Sequence, residues 1–341
     1  MSRVDVVKKP FTARDQEYDD SLSGVVEAFI KTMSHIHVSM GRERLETTSL
    51  TSEIAKQILA TDNILALLNN KTFLEKIRTA IALDYVDNIV YGDSICIPGS
   101  TIKGLLRSRL ELTPSKDRKA VSCMHTITQP ITELPKPGTH GWRHARVWSN
   151  VIAENRGEPC DPASTQDYTI CVVCDLFGAP GVVGRVMPSN FCCSRDAYEK
   201  LDLPYGEKVY AIKPNTVLRG FIHFSSLRVE ELGVLLISMG ITRGRTEGVP
   251  LLIGKHKYAY RNMGKAVFGV SMIRAPHRFK DFFKKMGLEV SEKDFEIICD
   301  GQCLQELINK AIDEALKNYP QLEWLHGFSE ASERDRLGVA Q

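Results

Sequence analysis

Alternation of apolar and polar positions marks the first element of the chain. In "GVVEAFIKTMSHIHVSMG" (residues 24–41) β-branched and aromatic residues recur in a way that predicts one long strand. The period changes over residues 50–82, where leucine and isoleucine fall at helical offsets and predict two helices. "YVDNIVYGDSICIPGS" returns to an extended pattern, with a turn at Gly92–Asp93. Ile102, Leu105, Leu106 and Leu110 then share one face of a helix expected over 100–112.

From 113 to about 182 the periodicity fails, and Pro, Gly, His and Cys become frequent. An irregular segment of that length is functional, disordered or held by something other than an apolar core. Beyond it the pattern predicts strands in "GRVMPSNFCCSRDAY" and over 215–227, a helix over 229–241 and a strand over 264–274. Two helices at about 276–286 and 293–318 follow, with a mobile tail after 328.

With the insert and the irregular segment set aside, the order is β-α-β-β-α-β. The expected fold is therefore α+β: a ferredoxin-like, RRM-like palm built from 24–49, 83–112 and 183–275. A leader (1–23) precedes it, a helical insert (50–82) and an irregular, zinc-stapled insertion (113–182) interrupt it, and C-terminal helices and tail (276–341) close it. The open sheet of such a palm commonly carries RNA.

The helix after "PGS" suits an anion. Ser100 or Thr101 can cap it, and the free N–H groups of its first turn attract phosphate. Gly99 and Gly104 have the spacing of a nucleotide-binding loop, but Leu105 and Leu106 stand where Lys and Ser/Thr are needed, which excludes an NTPase. Lys103 and Arg107 lie one turn apart on a second face, a good spacing for two successive phosphates. The formal net charge of +2 excludes a globally basic coat and leaves room for a local basic groove. No apolar run reaches the roughly 18 residues of a membrane span. "MSRVDVVKKPFTARDQEYDD" lacks the apolar core of a signal peptide, so the expected location is cytoplasmic, with no membrane partner.

The nine cysteines change the picture most. A disulfide framework belongs to small secreted chains, and here Cys123, Cys160, Cys171 and Cys174 crowd into the irregular segment. Cys171-x-x-Cys174 is a local ligand pair, and Cys160 with either His125 or Cys123 completes a tetrahedral, structural zinc site. His140 and His144 in "THGWRHARVW" are substitute ligands or the border of a basic, aromatic RNA contact. Cys299 and Cys303, at helical spacing, read as core.

Three stretches together carry a resemblance. "ICIPGSTIKGLLRSRLE" resembles the "IPGSSLKG-x-x-R" signature of the RAMP superfamily. "CVVCDLFGAPGVVGRV" is similar to that family's "C-x-x-C-x-LFG" segment, and "IGKHKYAYRNMGKAVFGV" to its glycine-rich loop and last strand. They stand in family order over about residues 24–274 and are most similar to backbone subunits of type III CRISPR effector complexes.

That resemblance implies a subunit that binds guide RNA, pairs with target RNA and assembles with other CRISPR effector subunits, including paralogues or copies of itself. It places Asp87 of "YVDNIVYGDSICIPGS" at the position of the acidic residue with which relatives cut target RNA, with Mg or Mn as the cleavage cation. It also places His37 of "IHVSM" beside the guide. The chain departs from the pattern in three places. The insert between His37 and Asp87 is long, Ile89 replaces a proline, and Arg261, Asn262 and Met263 thin out the glycine loop. Ser100, Lys103, Arg107, Arg185, Lys255, Lys257 and Lys265 are the candidate RNA contacts, and phosphate contacts of that kind confer no sequence preference. The rival functions are a non-catalytic architectural or capping subunit of the same particle and a stand-alone RNA-processing endonuclease.

Overall fold

The computed structural model describes residues 4–18, 20–39, 52–61, 63–74, 90–91, 93–123, 133–139, 141–148, 154–156, 159–161, 168–204 and 208–341. The chain is a mixed α+β structure. Its main elements are β1 (Leu22–Thr32), β2 (Ser94–Ile97), α1 (Gly99–Glu111), α2 (Val172–Phe177), β3 (Val186–Pro188), β4 (Phe191–Ser194), β5 (Val217–Leu227), α3 (Val229–Ser238) and β6 (Lys265–Pro276). β7 (Glu296–Cys299), α4 (Gly301–Asn318) and α5 (Glu330–Arg336) complete it.

Among the described residues ten strands form one sheet, with β7, β6, β1, β5, β4 and β2 side by side. β1 lies between β5 and β6, antiparallel to both, and β3 pairs with the far side of β5. The alternation that predicted β5 is physical: Leu218, Ile222 and Phe224 are buried while Arg219, Phe221 and His223 are exposed. Each such burial contributes about 1.5–3 kcal/mol, which fixes the register because a one-residue slip would turn every apolar side chain outward. α1 begins against β3, and Gly99 is needed there: a Cβ would stand 2.1 Å from the Pro188 carbonyl oxygen.

Four expectations are revised. The strand over 24–41 divides: β1 stops at Thr32, whose hydroxyl donates to the Lys213 carbonyl (2.7 Å), and single bridges pair His35 with Met263 and Ile36 with Ile212. No side chain caps α1; Pro98 precedes it, and the Gly99 N–H donates to Asn190 Oδ1 at 3.0 Å. The helix expected from 293 starts at Gly301, because Ser291–Lys293 and β7 form a hairpin on the sheet edge with Asp294 in a left-handed turn. The tail after 328 carries α5, whose Arg334 is fully buried.

The leader and the irregular segment are stitched together. Asp5–Val6 pairs in parallel with Lys119–Ala120, and Lys8–Pro10 pairs with Thr169–Cys171. Among the described residues no helix is long and apolar enough to cross a membrane.

Candidate nucleic-acid cleft and cysteine cluster

Three distant pieces of sequence meet at a cleft of about 300 Å³. Val38 and Ser39 come from the exit of the first strand, Thr101, Gly104, Leu105 and Ser108 from one face of α1, and Ile253 to Lys257 from the loop before β6. The loop is pressed onto the strand exit. The Lys255 N–H donates to the His37 carbonyl at 2.8 Å, and Gly254 sits at φ +86° where a Cβ would come within 2.5 Å of that oxygen. Only glycine fits such a close approach without strain.

Of the candidate RNA contacts, Lys255 and Lys257 line this cleft, while Ser100 and Lys103 lie beside its lining residues at the start of α1. Ser100 and Lys255 are exposed, and Lys103 and Lys257 are half-buried. Lys257 lines the cleft and donates to the Leu252 carbonyl at 3.1 Å. Burial, and then the charge of Arg107, hold the Lys103 ammonium below its ordinary range; burial does the same to Lys257. His37 is wholly buried beneath the cleft, with Nδ1 at 2.8 Å from the Tyr210 carbonyl and its ring stacked at 6.2 Å on His256. Its position supports the floor.

Three cations are engaged by partners within the chain instead. Arg185 is buried, 3.4 Å from Asp175 Oδ1 and stacked on Tyr18, so its charge does not reach the surface where phosphates would lie. Lys265 binds Asp335 at 2.5 Å. Arg107 binds Glu111 at 2.8 Å and the Gly178 carbonyl at 2.7 Å, and its Nη2 lies 3.9 Å from Cys174 Sγ.

Two further residues that shape the cleft escaped the reading of the sequence. Arg334 of α5 donates to the carbonyls of Lys257 (2.6 Å), Tyr260 (3.1 Å), Met263 (2.9 Å) and Arg261 (2.9 Å), which sets the loop that lacks its expected glycines. Glu330 accepts from buried Arg109 of α1 and from the Leu252 N–H at 3.3 Å. Both lie after residue 328, in the stretch expected to be a mobile tail.

Behind α1 lies the cysteine cluster. Cys123, Cys160, Cys171 and Cys174 are all buried, with their sulfurs within 4.8 Å of one another. Cys171 ends the strand Thr169–Cys171 and caps α2, so its sulfur accepts from the Cys174 N–H at 3.5 Å. Cys160 Sγ accepts from the Cys171 N–H at 3.3 Å. Hydrogen bonding with Cys160 draws the Cys123 thiol far below its usual range, while hydrogen bonding with Cys123 pushes Cys174 far above it. Four sulfurs on a tetrahedron around zinc would stand about 3.8 Å apart, given Zn–S of about 2.3 Å. Cys123 and Cys174 are 3.5 Å apart, and the set could hold a metal such as zinc. The fourth sulfur is Cys123; His125 and His140 lie outside the described residues.

Four other cysteines form disulfides, although disulfides were expected of small secreted chains and not of this one. Cys96 of β2 and Cys192 of β4 face each other in antiparallel register, and Cys299 at the end of β7 is joined to Cys303 in the first turn of α4. Asp84 and Asp87 lie outside the described residues. Asp93 is exposed, and its carbonyl accepts from the Arg195 N–H at 3.2 Å.

The family model described as "RAMP superfamily" matches residues 29–315. No curated protein matches the chain.

Proposed function

The chain belongs to the RAMP superfamily, and from that premise we propose that it is a guide-RNA-binding backbone subunit of a type III CRISPR effector complex. The observation that carries this reading is the meeting of the strand exit, α1 and the 253–257 loop at one cleft, although they are drawn from a stretch of more than two hundred residues. Thr101 and Ser108 offer hydroxyls there, and Lys255 and Lys257 offer charge, a lining that suits a sugar–phosphate backbone and no particular base. The neighbour order β6-β1-β5-β3, with α1 following β1 in the chain and α3 joining β5 to β6, supports a ferredoxin-like palm.

Zinc held by Cys123, Cys160, Cys171 and Cys174 would be structural, since all four positions are filled by protein sulfur. Arg107 then supplies a positive charge beside the thiolates and links the cluster to α1. Copies or paralogues of the chain and target RNA are the partners that this role requires.

Cleavage of guide-matched target RNA is assigned to Asp87 on the family resemblance. As a base, or as a ligand to Mg or Mn, a carboxylate there would help a ribose 2′-OH attack the adjacent phosphate. Asp87→Ala should leave target binding intact and reduce cutting at least about a hundredfold, the low end for such groups. DNA targets should resist because they lack the 2′-OH. A variant that cuts at the wild-type rate would move the search to Asp84 and Asp93; with those silent as well, the subunit is architectural.

A further inference from the structure

A second, larger cleft of about 560 Å³ opens on the other side of the 254–259 loop. It shares Gly254 and Lys257 with the first cleft, so one stretch of backbone forms a wall of both. Its chemistry differs. Trp142, His144, His256 and Tyr258 line it, with Arg143 beside them. We infer that this cleft takes one unstacked nucleobase of a single-stranded RNA whose backbone runs through the first cleft. The inference rests on RNA being the ligand.

The rings are already set for such a guest. His144 stands edge-on to Tyr258 at 5.2 Å and 86°, and the Tyr258 hydroxyl accepts from the Trp148 indole N–H at 2.9 Å. The Arg143 guanidinium lies 5.0 Å over the Trp142 ring while its Nε donates to the Val339 carbonyl at 2.8 Å. A base sliding into the cleft would thus meet fixed aromatic surface, and little side-chain entropy would be lost. The Trp142 indole N–H is buried and has no partner among the described residues, which leaves a donor for a ring nitrogen or carbonyl of a base.

The local backbone also favours a site. His256 holds φ +64°, a left-handed conformation uncommon for a residue with a side chain, and its carbonyl starts the turn to Ala259 and Tyr260. That conformation sets the imidazole into the cleft wall and against His37 at 6.2 Å. Burial, reinforced by the nearby Lys257 charge, lowers His144 to about 4, so its ring is neutral near pH 7. A neutral ring offers stacking and hydrogen bonding, which suit a base and not a phosphate. The volume falls within the roughly 300–1,000 Å³ of small-ligand sites.

The test compares the full-length protein's affinity for a single-stranded oligoadenylate RNA and for an abasic ribose–phosphate oligomer of equal length. The wild type should prefer the base-bearing RNA by about 5- to 150-fold for one stacked base. Trp142→Ala should remove most of that preference, and Trp142→Phe, which keeps a ring, should retain most of it. Both should bind the abasic oligomer as the wild type does, which also reports that they fold. Should Trp142→Ala lose the abasic oligomer too, His144→Ala decides in the same comparison. A preference unchanged in these variants, or no preference in the wild type, overturns the base cleft while leaving RNA binding in place. A wild type that binds neither oligomer overturns both.

Discussion

β5 and the cysteine-bearing segment each put a row of side chains out of reach of water, but by different means. Along β5 every second residue is apolar and packs under the helices, so a single substitution leaves many neighbours to hold the strand. Around Cys171 the apolar side chains of Ile170, Val172, Val173, Leu176 and Phe177 join the same core, and four sulfurs and a set of ion pairs are added to them. Asp175, immediately after Cys174, is buried and meets Lys9 at 2.8 Å and Arg14 at 2.6 Å. Burial alone would raise its carboxyl, but Lys9 and then Arg14 hold it below the ordinary carboxylate range. The leader is drawn in by those ion pairs and by the pairing of Lys8 with Cys171. The segments that Cys123 and Cys160 tie to α2 should open abruptly when one sulfur is removed, whereas the sheet should lose stability by degrees.

The largest difference should follow from Cys171→Ser. In small zinc domains the metal contributes about 10–16 kcal/mol of apparent binding free energy, and that energy is folding energy. Hydrogen exchange should show the segments around Cys123, Cys160 and Cys171 opening together with residues 8–10, while amides of β1, β5 and β6 stay protected. Elemental analysis should show about one zinc per wild-type chain and none in the variant. Equal opening of palm and cysteine region would erase the distinction.

Glu330→Ala should cost less. It leaves Arg109 charged and buried without its carboxylate, a loss of about 3–5 kcal/mol. Because Glu330 joins α1 to the Leu252 N–H, the loss should appear as lower thermal stability and as faster exchange in the 252–263 loop. The cysteine cluster should keep its metal. Metal release in this variant would mean that the two regions fold as one unit.

The sheet and the helix after β5 were largely legible in the sequence, because alternation over 215–227 and helical offsets from 229 are local records of which face is buried. The cleft was half legible. The motifs identified its three pieces, yet the direction of each cation depends on neighbours that no spacing reveals: Arg185 finds Asp175, and Arg107 finds Gly178 and Cys174. Cys171-x-x-Cys174 announced a ligand pair, but the choice between His125 and Cys123 turns on how distant loops pack. Arg334 left no trace, since its partners are backbone carbonyls 71–77 residues away.

The central claim is that this chain holds RNA by its phosphates along the cleft between α1 and the 253–257 loop. Its most direct test is the salt dependence of binding to two unrelated single-stranded RNAs, in the wild type, Lys255→Ala and Arg107→Ala. Both RNAs should bind alike, with log affinity falling linearly against log salt. Lys255→Ala should flatten the slope by about one charge, and Arg107→Ala, whose guanidinium is already bound by Glu111 and the Gly178 carbonyl, should leave it unchanged. Affinity that ignores salt, or that is confined to one of the two RNAs, would contradict the account.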